Sequence, residues 1–493
     1  MDEEAERFAG EWIEPPANMA GFRILVENSN ILPQCINAYK RNIAGFGMGV
    51  EYRDDIEDST ESEAEFTRVQ QILNCLTLEE DTKKIFEDII DSRETYGIAY
   101  LEVLRNAAGE VVQIDFIEDT TSVKMTKPLE PYQEIEYWAN GEIIKRKKKF
   151  KKYRQQVGGK SVYFKEFGDP RIMEAKSGDY KEGISLEEQA NEIIEFKLGT
   201  RPYGTVRWIG QILGVDGSRK AETLNNNYFQ NGRHTPLAIL IEGGTLSDES
   251  YDKLTEYMND IRGEAGQHAF LLLETESNGT QTAIDTEEKP KITIQNLAGI
   301  LQKDELFQDY IDNGRRRIQS SFQLPDLYVG YTTDFNRATA QTAQEVTEEQ
   351  VFQPERADLA WIINNKLLNA YQLKYTQVYF KEPDISNPDD LYKLMVATNN
   401  AGGLTPNKAK ELLYKSLGET SDDFEEEWGN IPLAYLKQAM SGSGGGEFTG
   451  YGLQMARAIE RATKNHDDEI IPVLRAIKGL LEEMEETGNE ESD

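Results

Sequence analysis

Apolar residues recur at helical intervals twice in the middle of the chain, on either side of a short loop marked by proline and glycine. Leu297, Ile300, Leu301, Phe307, Tyr310, Ile311, Ile318 and Phe322 form the first stripe, the pattern of an amphipathic helix. Pro325 ends it, because proline has no amide donor and crowds the preceding turn. After the loop 326–337, a second run extends from Ala338 towards Tyr371. Leu359, Ile362, Ile363, Leu367 and Tyr371 keep the spacing beyond Pro354, so the pattern predicts a kinked helix rather than a terminated one. A first helix of about 26 residues would be roughly 39 Å long, a shaft with a polar loop held out at its end.

Toward the N-terminus the period shortens. Ile85, Phe86, Ile89 and Ile90 mark a helix that Thr77 can cap. Residues 96–103 then read as a strand, Ala107 to Gly109 as a turn and Val111 to Ile117 as the partner strand. Short β-like pieces separated by charged turns fill 123–167, and Glu192–Lys197 is a further strand, so this half predicts an antiparallel, hairpin-rich domain. Val206 to Gly232 reads as mostly helical. A small βαβ-like module follows, with a strand at 237–242 and a helix capped by Thr245 or Ser247 that carries Tyr251, Leu254, Met258 and Ile261. Strands at 269–274 and 291–295 complete it. Later come a strand at 375–380, a helix from Leu404 with Thr405 as cap and Pro406 at its first position, a Gly/Ser linker at 441–446 and a narrow apolar stripe from Ile470 to Met484.

The chain has 493 residues, 54 basic and 88 acidic, for a formal net charge of -34. That balance argues against a protein that grips nucleic acid, since phosphate binding needs clustered cations, but it allows a surface that nucleic acid passes without sticking. Cys35 and Cys75 are the only cysteines, which excludes a disulfide framework and points to a reducing compartment. No basic segment followed by an apolar one opens the chain, and no apolar run is long enough to span a bilayer.

The candidate chemical motifs are incomplete. Lys145 to Lys152 holds seven basic residues in eight positions; it reads either as a phosphate contact or as a solvated hairpin balancing an acidic neighbourhood. Gly158-Gly-Lys-Ser161 resembles the end of a phosphate-binding loop, but the pattern requires glycine where Arg154 stands. His234, His268 and His466 stand in no metal-ligand spacing. The acidic stretch 54–65 lacks the central glycine of an EF-hand and reads as a solvated, mobile segment. No nucleophile elbow is present, and neither catalytic, metal nor cofactor-binding residues are expected.

Several separated segments, in order, resemble the portal proteins of tailed bacteriophages, in particular the PBSX-type prophage portals. They are residues 96–103, Tyr163 to Arg171, the aromatic-x-Asn-Gly element in Tyr228 to Pro236, the break Phe322-Gln-Leu-Pro-Asp-Leu-Tyr-Val-Gly330, Phe352-Gln-Pro354 and Leu404-Thr-Pro-Asn407. The resemblance spans roughly Asn28 to Gln438 and implies an α+β portal fold. Its parts would be a β-rich wing (1–205), a first stem helix (206–232), a small αβ clip (233–296), a second stem helix (297–324) and a tunnel loop (325–340). A kinked long helix and wing return (341–440) and a linker with a crown-like helical tail (441–493) would follow.

The same resemblance implies a homo-oligomeric ring, usually dodecameric, at one capsid vertex of the virion, assembled in the host cytoplasm. Double-stranded DNA would pass through it. Terminase, the major capsid or scaffolding protein and the head–tail connector would be its partners, with no membrane. Tyr328, Tyr331, Thr332, Asn336 and Arg337 are then the expected DNA-facing loop residues. Arg315, Arg316 and Arg317 form either inter-helix salt bridges or a basic ring at one level of the channel. A DNA-packaging enzyme of the terminase kind and a capsid adaptor without a channel are the alternatives.

Overall fold

The computed structural model describes residues 7–8, 10–15, 18–53, 59–139, 142–231, 237–242, 244–260, 275–277, 291–296, 305–331, 337–383, 388–416, 423–424 and 427–440. The chain divides into two compact units, Met1–Glu382 and Pro383–Asp493.

In the first unit, strands β1 (Trp12–Ile13), β2 (Met48–Tyr52), β3 (Ile98–Arg105), β4 (Val111–Phe116), β5 (Val123–Thr126), β6 (Leu129–Ala139), β7 (Glu142–Phe150), β8 (Lys152–Val157), β9 (Lys160–Glu166) and β10 (Glu192–Lys197) follow one another with helices between them. Seven of these form one sheet in the order β1-β5-β8-β9-β10-β3-β4. Its pairs are antiparallel except β9 with β10. Alternation along β3 explains why the middle of the sheet is buried on both faces. Ala99, Leu101 and Val103 join the main core, while Ile98 and Tyr100 join a second cluster with Met125, Tyr153, Phe164 and Tyr203.

Helices α1 (Met19–Glu27), α2 (Leu32–Ile43), α3 (Thr60–Cys75) and α4 (Thr82–Tyr96) supply much of the main core. Two local expectations change here. The cap of α4 is Asp81, whose carboxylate accepts from the Lys83 amide, and not Thr77; Asp81 directly precedes the first helical residue, where a side chain can reach the free amides. From Thr60 onward the acidic stretch is helical, opened by a reciprocal Ser59–Ser62 capping box, so only its first part stays open to the earlier reading. Gly97, at φ +88°, closes α4 and passes so near Gly204 that a Cβ on Gly204 would collide with the Gly97 carbonyl oxygen.

Helix α5 (Ile212–Asn231) begins after a 3-10 turn at Ile209–Gln211, later than its apolar pattern suggested, because Val206 and Trp208 are spent in the core ahead of it. Beyond it lie β11 (Leu237–Glu242), β12 (Gly244–Leu246), α6 (Asp248–Asp260), β13 (Thr275–Ser277) and β14 (Lys291–Asn296). The pairs β11–β14 and β12–β13 are antiparallel; the returning strand of the βαβ-like expectation, 269–274, lies outside the described residues. Ser247 caps α6 through the Ser250 amide, and Thr245 lies in β12. The expected strand at 269–274, all three histidines, the linker and the tail fall outside the described residues.

Helix α7 (Glu305–Ser321) packs on α5 through small residues. A Cβ on Gly217 would meet the Tyr310 hydroxyl, and one on Gly314 would meet Ser218 Oγ at 2.8 Å. The expected start of α7 at Leu297 lies outside the described residues. The second run is helical without a break from Arg337 to Tyr371: α8 (Arg337–Thr347), a π turn at Glu348–Phe352, α9 (Gln353–Ile362), a second π turn at Ile363–Leu367 and a 3-10 turn at Leu368–Tyr371. It passes through Pro354 as expected. The widened turn just ahead of the proline accommodates the missing amide and the ring.

Four charged side chains join these parts. Arg93 Nη2 reaches Glu94 Oε1 at 2.9 Å and Glu355 Oε2 at 2.8 Å. Arg207 reaches Glu94 Oε2 at 2.8 Å and also pairs with Glu355. Burial alone would push the Glu355 carboxyl up, but Arg93 and Arg207 hold it below the usual carboxylate range. A second carboxylate, Glu65, fastens α3 to β15 (Thr376–Phe380), the antiparallel partner of β2. It accepts from the amides of Lys374, Tyr375 and Thr376 and from the Thr376 hydroxyl, at 2.8–3.0 Å. Partial burial pushes the Glu65 carboxyl up, and these donors outweigh it and hold it low.

The second unit contains α10 (Pro388–Asn400), α11 (Pro406–Ser416) and α12 (Leu433–Met440) around Leu404, Leu412, Trp428, Leu433 and Leu436. Thr405 caps α11 through the Lys408 amide, as its sequence indicated.

Glu94 is fully buried, so Glu94→Ala leaves two guanidinium groups undercompensated and should cost about 3 kcal/mol or more in urea unfolding. A loss under about 1 kcal/mol would show that the charged cluster contributes little. Glu65 titrates lower in the fold than when unfolded, so its contribution is present above about pH 4.3 and fades as pH falls through the depressed folded value. Thermal unfolding of wild type and Glu65→Gln should therefore differ at pH 7 and converge in acid; a difference that does not change with pH would remove Glu65 as the titrating group.

Candidate functional site

The loop after α7 is built by a helix end that reverses the chain without glycine. Ile318, Phe322 and Leu324 are buried, and Gln323 adopts the left-handed conformation at φ +56°, the position at which helices commonly stop. Pro325 then prevents any return to helix. The Phe322 carbonyl accepts a 2.8 Å hydrogen bond from the Tyr39 hydroxyl, and the two rings meet edge to face at 5.6 Å.

The reversed chain runs back beside the helix that produced it. The Gln319 side-chain amide donates to the Leu324 carbonyl at 2.9 Å and to Asp326 Oδ1 at 2.7 Å. Asp326–Tyr328 makes a 3-10 turn, and the Tyr331 amide donates to the Asp326 carbonyl at 3.2 Å. Farther along, the Arg315 guanidinium lies over the Tyr331 ring, 3.8 Å from its centroid. A groove of about 980 Å³ opens between the end of α7, the base of the loop and α8, with Arg316, Gln323, Asp326, Thr339 and Val346 among its walls.

The expected loop residues thus separate. Tyr328 is half-buried, its ring edge to face with Phe352 at 5.3 Å, and burial pushes its phenol up; it anchors the loop to the core. Tyr331 is 40% exposed. Thr332 and Asn336 lie outside the described residues, and Arg337 opens α8 with its side chain likewise outside. Arg316 and Arg317 are exposed, Arg315 is partly buried, and none of the three makes an ion pair among the described residues. Gln319 and Asp326, which hold the loop base, carried no motif; only the four-residue step from Arg315 to Gln319 hinted that both share a face.

The other charged motifs resolve into ordinary structure. Lys145 to Phe150 lies on β7, where Lys145 pairs with Glu134 at 3.5 Å and Lys148 with Glu166 at 2.8 Å, while Lys149 pairs with Glu130. Lys151 pairs with Glu195 at 2.7 Å, and Arg146 covers the Tyr137 ring. Gly158 and Gly159, at φ +55° and +79°, form the two-residue turn between β8 and β9, a geometry that glycine permits and a hairpin requires. Among the described residues no three His, Cys, Asp or Glu side chains are grouped to share a metal ion. No described helix is long and apolar enough to cross a membrane.

The chain is similar to YqbA of Bacillus subtilis (strain 168), with 38% identity over 98% of this chain and 95% of that protein. It is also 39% identical to the phage-like element PBSX protein XkdE of the same organism, over 86% of this chain and 88% of that one. Its fold matches a chain in the solved virion of a native gene transfer agent particle with a TM-score of 0.51. That match covers 85% of this chain and 99% of the other, at 16% identity. The description of the phage portal protein family matches residues 32–413, from α2 through the loop to α11. By this match over most of its length and the identity to these relatives, the chain belongs to the phage portal protein family and serves as a portal protein.

Proposed function

We propose that this portal protein assembles as a homo-oligomeric ring, a dodecamer, around a channel at one capsid vertex, through which double-stranded DNA enters during packaging and leaves during ejection. Residues 1–205 form most of the wing, 206–232 and 297–324 the two stem helices, 233–296 the clip and 325–340 the tunnel loop. The rest returns to the wing through 341–440 and ends in a crown-like tail at 441–493. The clip receives terminase and later the head–tail connector, and the outer surface meets the major capsid or scaffolding protein. The ring assembles in the host cytoplasm and stays in the virion. It acts as a conduit without chemistry of its own.

The observation that carries this reading is the loop at the end of α7, anchored by Tyr328 and Gln319 while Tyr331 stays exposed. A wall that lets DNA slide must not hold it with many fixed cations, because each phosphate contact adds affinity and salt dependence. A net charge of -34 supplies repulsion towards the axis, and Arg316, Arg317 and Arg337 are sparse exceptions. Tyr331, Thr332, Asn336 and Arg337 make brief contacts with passing DNA. The terminase-like alternative would need a complete nucleotide-binding loop, and against it Gly158 and Gly159 form a hairpin turn that leads into β9.

Negative-stain electron microscopy of the purified chain, alone and with scaffold and capsid partners, should show rings with a central hole; persistent absence in both would favour the adaptor alternative. In assembled particles Arg337→Ala should leave ring formation intact and lower packaged or retained DNA at least about threefold, since the ring loses that cation once per subunit. Unchanged packaging and retention would remove Arg337 from the mechanism.

A further inference from the structure

Among the three consecutive arginines of α7, Arg315 is set apart. Its Nε and Nη1 atoms are buried and have no hydrogen-bond partner among the described residues. A guanidinium recognises a phosphate best through its fork of parallel N–H groups, and here part of that fork is turned inward. What Arg315 does touch is the face of Tyr331, with the cation 3.8 Å from the ring centroid, well inside the range of a cation–π attraction.

The contact lies where it can control the loop. Gln319, one helical turn along α7 from Arg315, binds Leu324 and Asp326 at the loop's base. Arg315 takes Tyr331 at the far end of the same seven-residue arc. The Tyr328 and Val329 amides donate to Pro325 and Asp326, so the arc also has its own internal bonds. These two attachments along one helix face fix where residue 331 sits.

We propose that Arg315 is a positioning residue: its stack on Tyr331 latches the loop along α7 and fixes the exposed ring of Tyr331, while Arg315 itself makes no contact with DNA. This rests on the channel reading above for its functional consequence, but the latch can be measured without DNA.

Hydrogen exchange on assembled full-length rings reads the latch through the hydrogen-bonded amides of Val329 and Tyr331. Arg315→Ala should speed their exchange at least about threefold, with the rest of the chain unchanged, from loss of a cation–π contact in a partly desolvated site. Arg315→Lys, which keeps the charge but not the flat stack, should restore part of the protection. Tyr331→Phe should behave as wild type and Tyr331→Ala as Arg315→Ala. Wild-type exchange in Arg315→Ala, or loss of protection in Tyr331→Phe equal to that in Tyr331→Ala, would overturn the latch. DNA retention in particles then separates the two ideas. Faster exchange with lower retention supports both, whereas faster exchange with unchanged retention keeps the latch and removes the loop from DNA handling.

Discussion

Arg93, Glu94, Arg207 and Glu355 come from parts of the chain that no local rule would bring together, and the larger unit is organised around their meeting. Two cations and two anions alternate, so each charge faces the opposite sign on two sides. Withdrawing such groups from water is costly, and an apolar cluster of the same volume could be as stable. What ions add is selectivity of arrangement: a helix shifted by one residue would leave a charge unmatched. The cluster thereby sets α4, the approach to α5 and α9 in one register. Trp208 reinforces it by donating its indole N–H to the Glu94 carbonyl at 3.1 Å.

From that cluster, contacts lead without a gap to the loop. The Arg207 guanidinium covers the Tyr39 ring at 4.8 Å. Tyr39 meets Phe322 and Phe352 edge to face, and Phe352 meets Tyr328. Burial pushes the Tyr39 hydroxyl well up, so it stays a proton donor to Phe322 at any ordinary pH. The loop is thus an extension of the core up to Tyr328, and only its distal part is presented outward.

Much of the architecture could be read directly from residue order. The β-branched and aromatic run Glu192–Lys197 marked β10 with its observed ends, and Thr405 with Pro406 marked the start of α11. The portal resemblance rested on breaks such as Phe322 to Gly330, where proline and glycine act over a few residues. The remainder depends on distance. Periodicity does not encode strand pairing, so nothing in the sequence joins β11 to β14 across the helix between them. Gln323 adopts a glycine-like conformation with no glycine to announce it, and without that reversal nothing pairs Arg315 with Tyr331 or Gln319 with Asp326. Glu94 and Glu355 look like surface acids until their partners are in place.

The two π turns carry a geometric consequence of their own. From Phe352 through Arg356, Leu359, Ile363 and Leu367 the buried side chains are spaced mostly by four residues, whereas an α-helix repeats every 3.6. In a uniform α-helix each four-residue step would carry the row about 40° round and the one three-residue step about 60° back, leaving a lead of about 60° by Leu367. The π turn at 363–367 turns the chain less per residue than an α turn does and so reduces that lead where the row ends. The segment from 337 to 371 is accordingly a helix whose turn is widened twice along its length. Its register, more than its composition, is what substitution must respect: removing one residue from 348–352 would close the widened turn to an ordinary α turn and leave the side chains downstream facing as they do, but would take away the room it gives Pro354.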